Sequence, residues 1–208
     1  MARLARVVVG GLPHHVTQRG NYRQDVFLCD EDRTTYLAIL KECAPPAGLH
    51  VVGYCLMTNH VHLIAVPGQP DALATALRRA HGRYAHWENA RRSRTGHLWQ
   101  NRFFSCVMDE PYLASAMRYV ERNPVRAAII AHPADYRWSS AQAHLTAHDP
   151  LGLLGLDYWT QRFTPPQWSA LLESGDTATE TEIRSRTRTG WPRNAATLCP
   201  PRRPAFGR

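Results

Sequence analysis

The sequence predicts an α+β fold: a four-stranded antiparallel sheet with helices packed on one face, followed by a helical extension. Three observations carry this. Strand-like runs and helix-period runs succeed one another in the order β-α-β-β-α-β-α. Only Thr58-Asn59 separates the second strand run from the third, which fits a tight turn between antiparallel neighbours. After Ala131 the texture changes to short helices and turns. The first six elements follow the split-βαβ arrangement, in which the run beginning at His60 is a central strand.

His14 to Gln18 reads as the first strand. Arg19 to Gln24 is a polar loop in which Gly20 and Asn21 permit tight turning. Asp30-Glu31-Asp32 put negative charge where the first turn of a helix favours it, and Tyr36, Leu37, Leu40 and Cys43 form that helix's apolar stripe. Pro45-Pro46 and Gly48 end it. Leu49 to Met57 is the second strand, and His60 to Val66 is the third, stopped by Pro67-Gly68. A second helix starts near Pro70-Asp71, with Leu73, Leu77, Ala80, Tyr84 and Trp87 on its buried side. Gly96 to Val107, aromatic and β-rich, reads as the fourth strand. Asp109-Glu110-Pro111 opens a third helix whose buried face is Leu113, Ala116, Met117 and Val120. Further on, Asp157-Tyr158-Trp159 and Pro165-Pro166-Gln167-Trp168 look like small packing units, and Thr177 to Arg188 reads as a polar helix. The Pro- and Arg-rich end reads as a flexible tail. The expected organisation is a sheet domain over residues 1–133, a helical extension over 134–189 and a basic tail over 190–208.

The chain has 208 residues, 44% of them apolar, which suffices for a packed core. Its net charge is +8, and nearly all the cations are arginine, whose planar fork of donors suits phosphate. This balance points to nucleic acid rather than to an acidic small molecule. No stretch approaches the ~20 apolar residues of a membrane span, and Met1 to Val9 is too short and too charged for a signal peptide. The five cysteines are odd in number, scattered and free of any Cys-x-x-Cys, which fits a reducing cytoplasm.

Two constellations carry chemistry. Side chains alternate along a strand, so His60 and His62 share one face with Ile64 and Val66, while Val61, Leu63 and Ala65 line the other. Two imidazoles about 7 Å apart along a strand can share a metal ion. Cys55 could join them around zinc, although no fourth ligand stands at a usual spacing. On the third helix, Tyr119 falls roughly 110° from the centre of the apolar stripe, where a partly exposed tyrosine is expected. Asn123 lies one turn further on the same side, and Pro124 ends or bends the helix. Tyr112 shares that side and is the alternative. Arg78, Arg79, Arg83, Arg91, Arg92 and Arg94 lack matching acids nearby, so they form either a solvated face or a phosphate-tracking surface.

Several long motifs then resemble one family. They are His15-Val16-Thr17-Gln18-Arg19-Gly20-Asn21-Tyr22-Arg23-Gln24, Asp30-Glu31-Asp32-Arg33, Tyr54 through Leu63, Gly96 through Phe103, Arg118 through Ala127, and Tyr136-Arg137-Trp138-Ser139-Ser140. In this order they resemble the REP-associated tyrosine transposases, a branch of the single-tyrosine HUH transposases with a ferredoxin/RRM-like catalytic fold. The resemblance implies a DNA transposase that cleaves and rejoins single-stranded DNA at hairpins through a covalent 5′-phosphotyrosine. It implies Tyr119 as nucleophile and His60, His62 and Asn123 as ligands of a divalent metal, Mg2+ or Mn2+. Single-stranded DNA would need a basic groove, for which Arg19, Asn21, Arg23, Arg78, Arg79, Arg83, Arg102 and Arg122 are candidates, and stacking platforms, for which Tyr22, Trp87 and Trp99 are. A cytoplasmic, nucleoid-associated protein with no membrane partner follows, as a monomer or a homodimer. The chain departs from the family after Thr187-Arg188-Thr189-Gly190, where Trp191-Pro192-Arg193-Asn194 and a Pro/Arg tail stand. Two other function classes use the same residues: a non-catalytic or domesticated nucleic-acid-binding regulator, and a small structural zinc protein.

Overall fold

The strands are β1 (His14–Arg19), β2 (Leu49–Met57), β3 (His60–Pro67) and β4 (Phe104–Val107) in a computed structural model that describes residues 7–174, 181–183 and 185–186. They form one sheet in the order β2-β3-β1-β4, antiparallel throughout, with β3 central as the sequence predicts. Period-two alternation divides the side chains of β3 between two cores. Val61, Leu63 and Ala65 point into one cluster, where α1 (Asp30–Cys43) supplies Tyr36, Leu37 and Leu40 and α2 (Ala72–Arg91) supplies Leu73, Leu77 and Tyr84. Ile64 and Val66 point into the other, against Leu113, Ala116, Met117 and Val120 of α3 (Glu110–Glu121). Each fully buried leucine contributes about 2 kcal/mol relative to exposure. The expectation of helices on one face therefore holds for α1 and α2, while α3 covers the opposite face.

The fourth strand is shorter than expected. Only Phe104–Val107 is extended in the sheet, and residues 96–103 continue the β1 edge irregularly. Asn21 N–H donates to the Leu98 carbonyl at 2.8 Å and Gln100 N–H to that of Arg19 at 2.9 Å. The reason is packing. Leu98 and Phe103 are buried in the α1–α2 core, and Trp99 Nε1 donates to the His81 carbonyl at 3.0 Å, so these side chains do not alternate across a sheet.

Three of the arginines in and just after α2 do have acids, some brought by α1 and one, Glu88, on α2 itself. Arg83 pairs with Glu42 at 2.7 Å, and Arg91 and Arg92 both reach the buried carboxylate of Asp32 and Glu88. Arg78 and Arg79 stay exposed.

After α3 come the one-turn α4 (Asn123–Arg126), then α5 (Ala141–Thr146), α6 (Leu156–Thr160) and α7 (Pro165–Glu173). Residues 138–140 run along the outer edge of β2: Leu56 N–H donates to the Trp138 carbonyl at 2.8 Å and Ser140 N–H to that of Tyr54 at 3.0 Å. This covers an otherwise unpaired strand edge. Trp159 and Trp168 are fully buried in the same cluster as α3. Of the polar helix expected at 177–188, residues 181–183 and 185–186 are helical and the others lie outside the described residues. The tail at 190–208 also lies outside them, as does most of the Met1–Val9 stretch. Among the described residues, no helix is long and apolar enough to cross a membrane.

Candidate active site

Strand register assembles the site. Residues opposite each other in antiparallel strands share a face. Met57, His60 and Arg19 therefore form one row, and Cys55, His62, Thr17 and Phe104 the next. His15 sits two residues before Thr17 on the same face of β1, which brings a third histidine beside the pair. His15 Nε2 and His62 Nδ1 share a hydrogen bond of 2.9 Å, with their rings stacked at 5.1 Å. The rings of His60 and His62 are 4.9 Å apart. His60 Nδ1–H donates to Asn59 Oδ1 at 2.6 Å; an amide oxygen only accepts, so in the neutral ring Nε2 carries the lone pair. Burial holds His15 down to about 3, helped by the charge of Arg126. Burial, with His60, His15 and Arg126 adding to it, also keeps His62 well below the usual 6.5, so both imidazoles are neutral.

The helix side supplies the rest. Tyr119 lies off the main apolar stripe of α3 but is only 3% exposed, contrary to the expectation of a partly exposed ring. The wheel angle measures distance from one core, and here the sheet's histidines close the other side. The Tyr119 ring meets His15 edge-on at 5.7 Å and His62 at 5.8 Å. Tyr112, the alternative, is also buried, at the other end of the helix among apolar residues. Asn123 caps the end of α3: its Nδ2 donates to the carbonyls of Tyr119 at 3.0 Å and Val120 at 3.2 Å. Those carbonyls belong to the last turn of α3, where helix acceptors run short of backbone donors. The cap fixes the amide, so Oδ1 points the other way and accepts from Arg126 at 2.6 Å. The Arg126 guanidinium lies over the Tyr119 ring, 4.1 Å from its centroid.

His15, His60, His62, Tyr119, Asn123 and Arg126 line one open cavity of about 670 Å³, with Arg19, Arg23, Gln100 and Phe104 also on its wall. Of the other candidate contacts, Arg102 is exposed on the segment that holds Gln100, and Asn21 lies in the Gly20–Gln24 loop between Arg19 and Arg23. Tyr22 is 93% exposed there. Arg78, Arg79 and Arg83 lie on α2, on the face of the sheet away from the cavity. Arg122 is turned toward the extension, donating to the Leu172 carbonyl. Trp87 stacks on Tyr84 and Trp99 packs with Tyr36 and His81, so Tyr22 is the exposed aromatic among the three expected platforms. Phe104, 48% exposed on the cavity wall, is an aromatic the sequence reading passed over. His15 and Arg126 were also passed over. Their signals were present: His15, Thr17 and Arg19 alternate onto one face, and Arg126 follows Asn123 by three residues.

A sequence model of the family described as Transposase IS200 like matches residues 8–123, more than half of the chain. The chain belongs to the IS200-like transposase family. The matched residues include His60, His62, Tyr119 and Asn123, so most of the cavity lies within the matched region, with Arg126 and Ala127 just beyond it. Among solved structures, this transposase-family chain is similar to a REP-associated tyrosine transposase bound to a REP hairpin. That likeness has a TM-score of 0.62 at 17% identity, covers 76% of this chain and 90% of the other, and shows a shared fold. A candidate transposase from Deinococcus radiodurans R1 overlaps with a TM-score of 0.40 at 23% identity, over 58% of this chain and 97% of that one. No curated protein matches the sequence at a significant level.

The donor set suits a divalent ion that keeps open positions. Two imidazoles, His60 and His62, and the carboxamide oxygen of Asn123 would present three donors to such an ion, leaving room for water and phosphate oxygens. Among the described residues, no group of three or more His, Cys, Asp or Glu side chains is placed to hold a metal. Cys55 shares the row of His62, but burial pushes its thiol up and Sγ–H donates to Met57 Sδ at 3.6 Å.

Proposed function

We propose that this transposase-family protein cleaves and rejoins single-stranded DNA at hairpin sequences through a covalent 5′-phosphotyrosine on Tyr119. The observation that carries it is the meeting of the Tyr119 ring with the His62 imidazole, 5.8 Å between centroids, in a cavity shared with His60 and Asn123. His60, His62 and Asn123 would hold Mg2+ or Mn2+, which when bound draws charge from the phosphate oxygens under attack.

The chain's own residues do the rest. The Tyr119 hydroxyl attacks phosphorus, its Oη–P bond forms, and the phenolic proton leaves to solvent. The bond from phosphorus to the 3′ oxygen breaks, and that oxygen leaves as a 3′-hydroxyl after taking up a proton. Rejoining is the reverse: a 3′-hydroxyl attacks the tyrosyl phosphate and the phenol departs. The energy of the phosphodiester is kept in the tyrosyl ester, so no nucleotide cofactor is needed. Arg19 and Arg23 on the cavity wall suit the DNA backbone, with Asn21 and Arg102 nearby and Tyr22 as a stacking platform. Arg78, Arg79, Arg83 and Arg122 lie away from the cavity and would serve a longer DNA path. Support for a hairpin comes from the structural relative, which was solved bound to one. The sheet and the helices through residue 133 would be the catalytic part, acting in the cytoplasm at the nucleoid.

The test is a denaturing gel of the protein with labelled single-stranded hairpin DNA from beside its own gene, with and without Mg2+ or Mn2+. A metal-dependent, slowly migrating protein–DNA band is expected, and Tyr119→Phe should abolish it while leaving the native-gel shift intact. A native shift with no covalent band would instead support the non-catalytic binding regulator. Undiminished cleavage by Tyr119→Phe would remove Tyr119 from its role.

A further inference from the structure

Arg126 closes the one-turn helix α4 and is exposed to the cavity. Its guanidinium carbon lies 4.1 Å from the centroid of the Tyr119 ring, and its NH2 donates to Asn123 Oδ1 at 2.6 Å. It thus bridges the nucleophile and the proposed third ligand. We propose that Arg126 is a further catalytic residue, binding a non-bridging oxygen of the phosphodiester that Tyr119 attacks; this rests on the function proposed above.

Three observations carry the assignment. Asn123 does not need Arg126 for its orientation, because its Nδ2 is already held by the carbonyls of Tyr119 and Val120. The contact between Arg126 and Asn123 is therefore not required to build the site. Second, a phosphate within reach of the Tyr119 hydroxyl and of the His60, His62 and Asn123 donors must enter the space beside the Tyr119 ring, and the guanidinium borders that space. Third, the chemistry suits the group. As the Oη–P bond forms, negative charge grows on the non-bridging oxygens; when the tyrosyl ester is resolved, charge returns to the phenol oxygen. A delocalised cation beside both positions stabilises both half-reactions, and the planar fork of arginine matches phosphate oxygens in a way that a lysine ammonium does not. Arg19 and Arg23 also line the cavity, but Arg19 shares its row with His60 and Arg23 sits on the loop that follows, so both suit flanking phosphates.

The test uses the full-length protein and its hairpin DNA, with the cleavage site mapped first on the wild type. Covalent-complex rates are measured for the wild type, Arg126→Ala and Arg126→Gln on two substrates. One is the natural phosphodiester; the other carries a methylphosphonate at the scissile position, each diastereomer separately. Arg126→Ala should slow the natural substrate about a hundredfold, the scale of losing one transition-state donor. For one diastereomer the methylphosphonate should cost the variant much less than it costs the wild type, because the contact it removes is already gone. Arg126→Gln, which keeps bulk without charge, supplies the same comparison if the alanine variant is unstable. Equal methylphosphonate penalties in wild type and variants would overturn the proposal, because a merely structural arginine slows both substrates alike. So would a variant that reacts at the wild-type rate. If the wild type forms no covalent complex with the natural hairpin, the function reading itself fails, and that outcome is distinct from the other two.

Discussion

His15 gains its importance from one hydrogen bond. Its Nε2 meets His62 Nδ1 at 2.9 Å, and both rings are kept neutral by burial. One of the two nitrogens must donate. When His62 Nδ1–H is the donor, His62 Nε2 carries the lone pair that a metal requires. Such outer partners fix the tautomer and ring orientation of a ligand, and their loss costs about 10–100-fold in metal affinity. His15→Ala should therefore weaken Mn2+ binding, followed by electron paramagnetic resonance of DNA-free protein, by a factor in that range. Unchanged Mn2+ affinity in that variant would leave His15 as packing only. The pair His60 and His62 was legible because alternation within one strand settles which residues share a face. His15 was not, since alternation says nothing of which strand lies alongside; only the pairing His15↔Ile64 sets it beside His62. Tyr119 was misjudged for exposure for a related reason: the residues enclosing it, His15, His62 and Arg126, come from other elements.

Helix α3 has two working sides. Tyr119 and, one turn on, Asn123 face the cavity, while Arg118, Glu121 and Arg122 hold the extension. Arg118 NH1 donates to Ser174 Oγ at 2.9 Å, and Arg122 donates to the Leu172 carbonyl. Glu121 is fully buried; its Oε1 accepts from Ser140 Oγ at 2.5 Å and meets His144 Nδ1 at 2.5 Å, and its Oε2 accepts from Trp168 Nε1 at 2.8 Å. A buried carboxylate is costly to desolvate, and removing it leaves its donors without partners in a dry core. Glu121→Ala should lower unfolding free energy by about 3–5 kcal/mol in urea titration, the scale of breaking a buried polar network. A loss below 1 kcal/mol would mean that water replaces the carboxylate and that the extension does not depend on it. Sequence patterning could place α3 and its apolar stripe but gave no reason to single out Glu121, because its partners lie 19 to 47 residues further along the chain. The same distance effect hid Glu42 and Asp32, the acids that reach Arg83, Arg91 and Arg92 from α1. It also shortened the fourth strand, where the α1–α2 core draws in Leu98 and Phe103.

The whole molecule buries several histidines in neutral form, and this sets its response to acid. Burial pushes His14 down to about 4, opposed by the Leu12 carbonyl, and pushes His81 down to about 3. Both side chains are enclosed: His14 Nδ1–H donates to the Leu12 carbonyl at 2.8 Å, and His81 Nε2 is hydrogen-bonded to the Tyr36 hydroxyl at 3.1 Å. In the unfolded chain both titrate near 6.5. Between 6.5 and their folded values the unfolded state binds more protons, so stability is fully present above 6.5 and is lost as pH falls below it. The buried His15, held down to about 3, and His62, held well below 6.5, act in the same direction. At pH 5 each of His14, His15 and His81 costs on the order of 2 kcal/mol, and together with His62 they should lower Tm by roughly 15 °C or more relative to pH 7.5. Asp32 adds nothing in that window. Burial would raise its carboxyl, but the amides of Leu28 and Cys29 and the charge of Arg91 hold it below the ordinary 3.8, so its contribution is lost only in stronger acid. Differential scanning calorimetry at the two pH values gives the slope, and His81→Gln, which removes one of these four titrating groups, should reduce the difference in Tm by about a quarter. An equal Tm at both pH values would show that these histidines are hydrated in solution, and with them the helix–sheet core around His81 and Trp99.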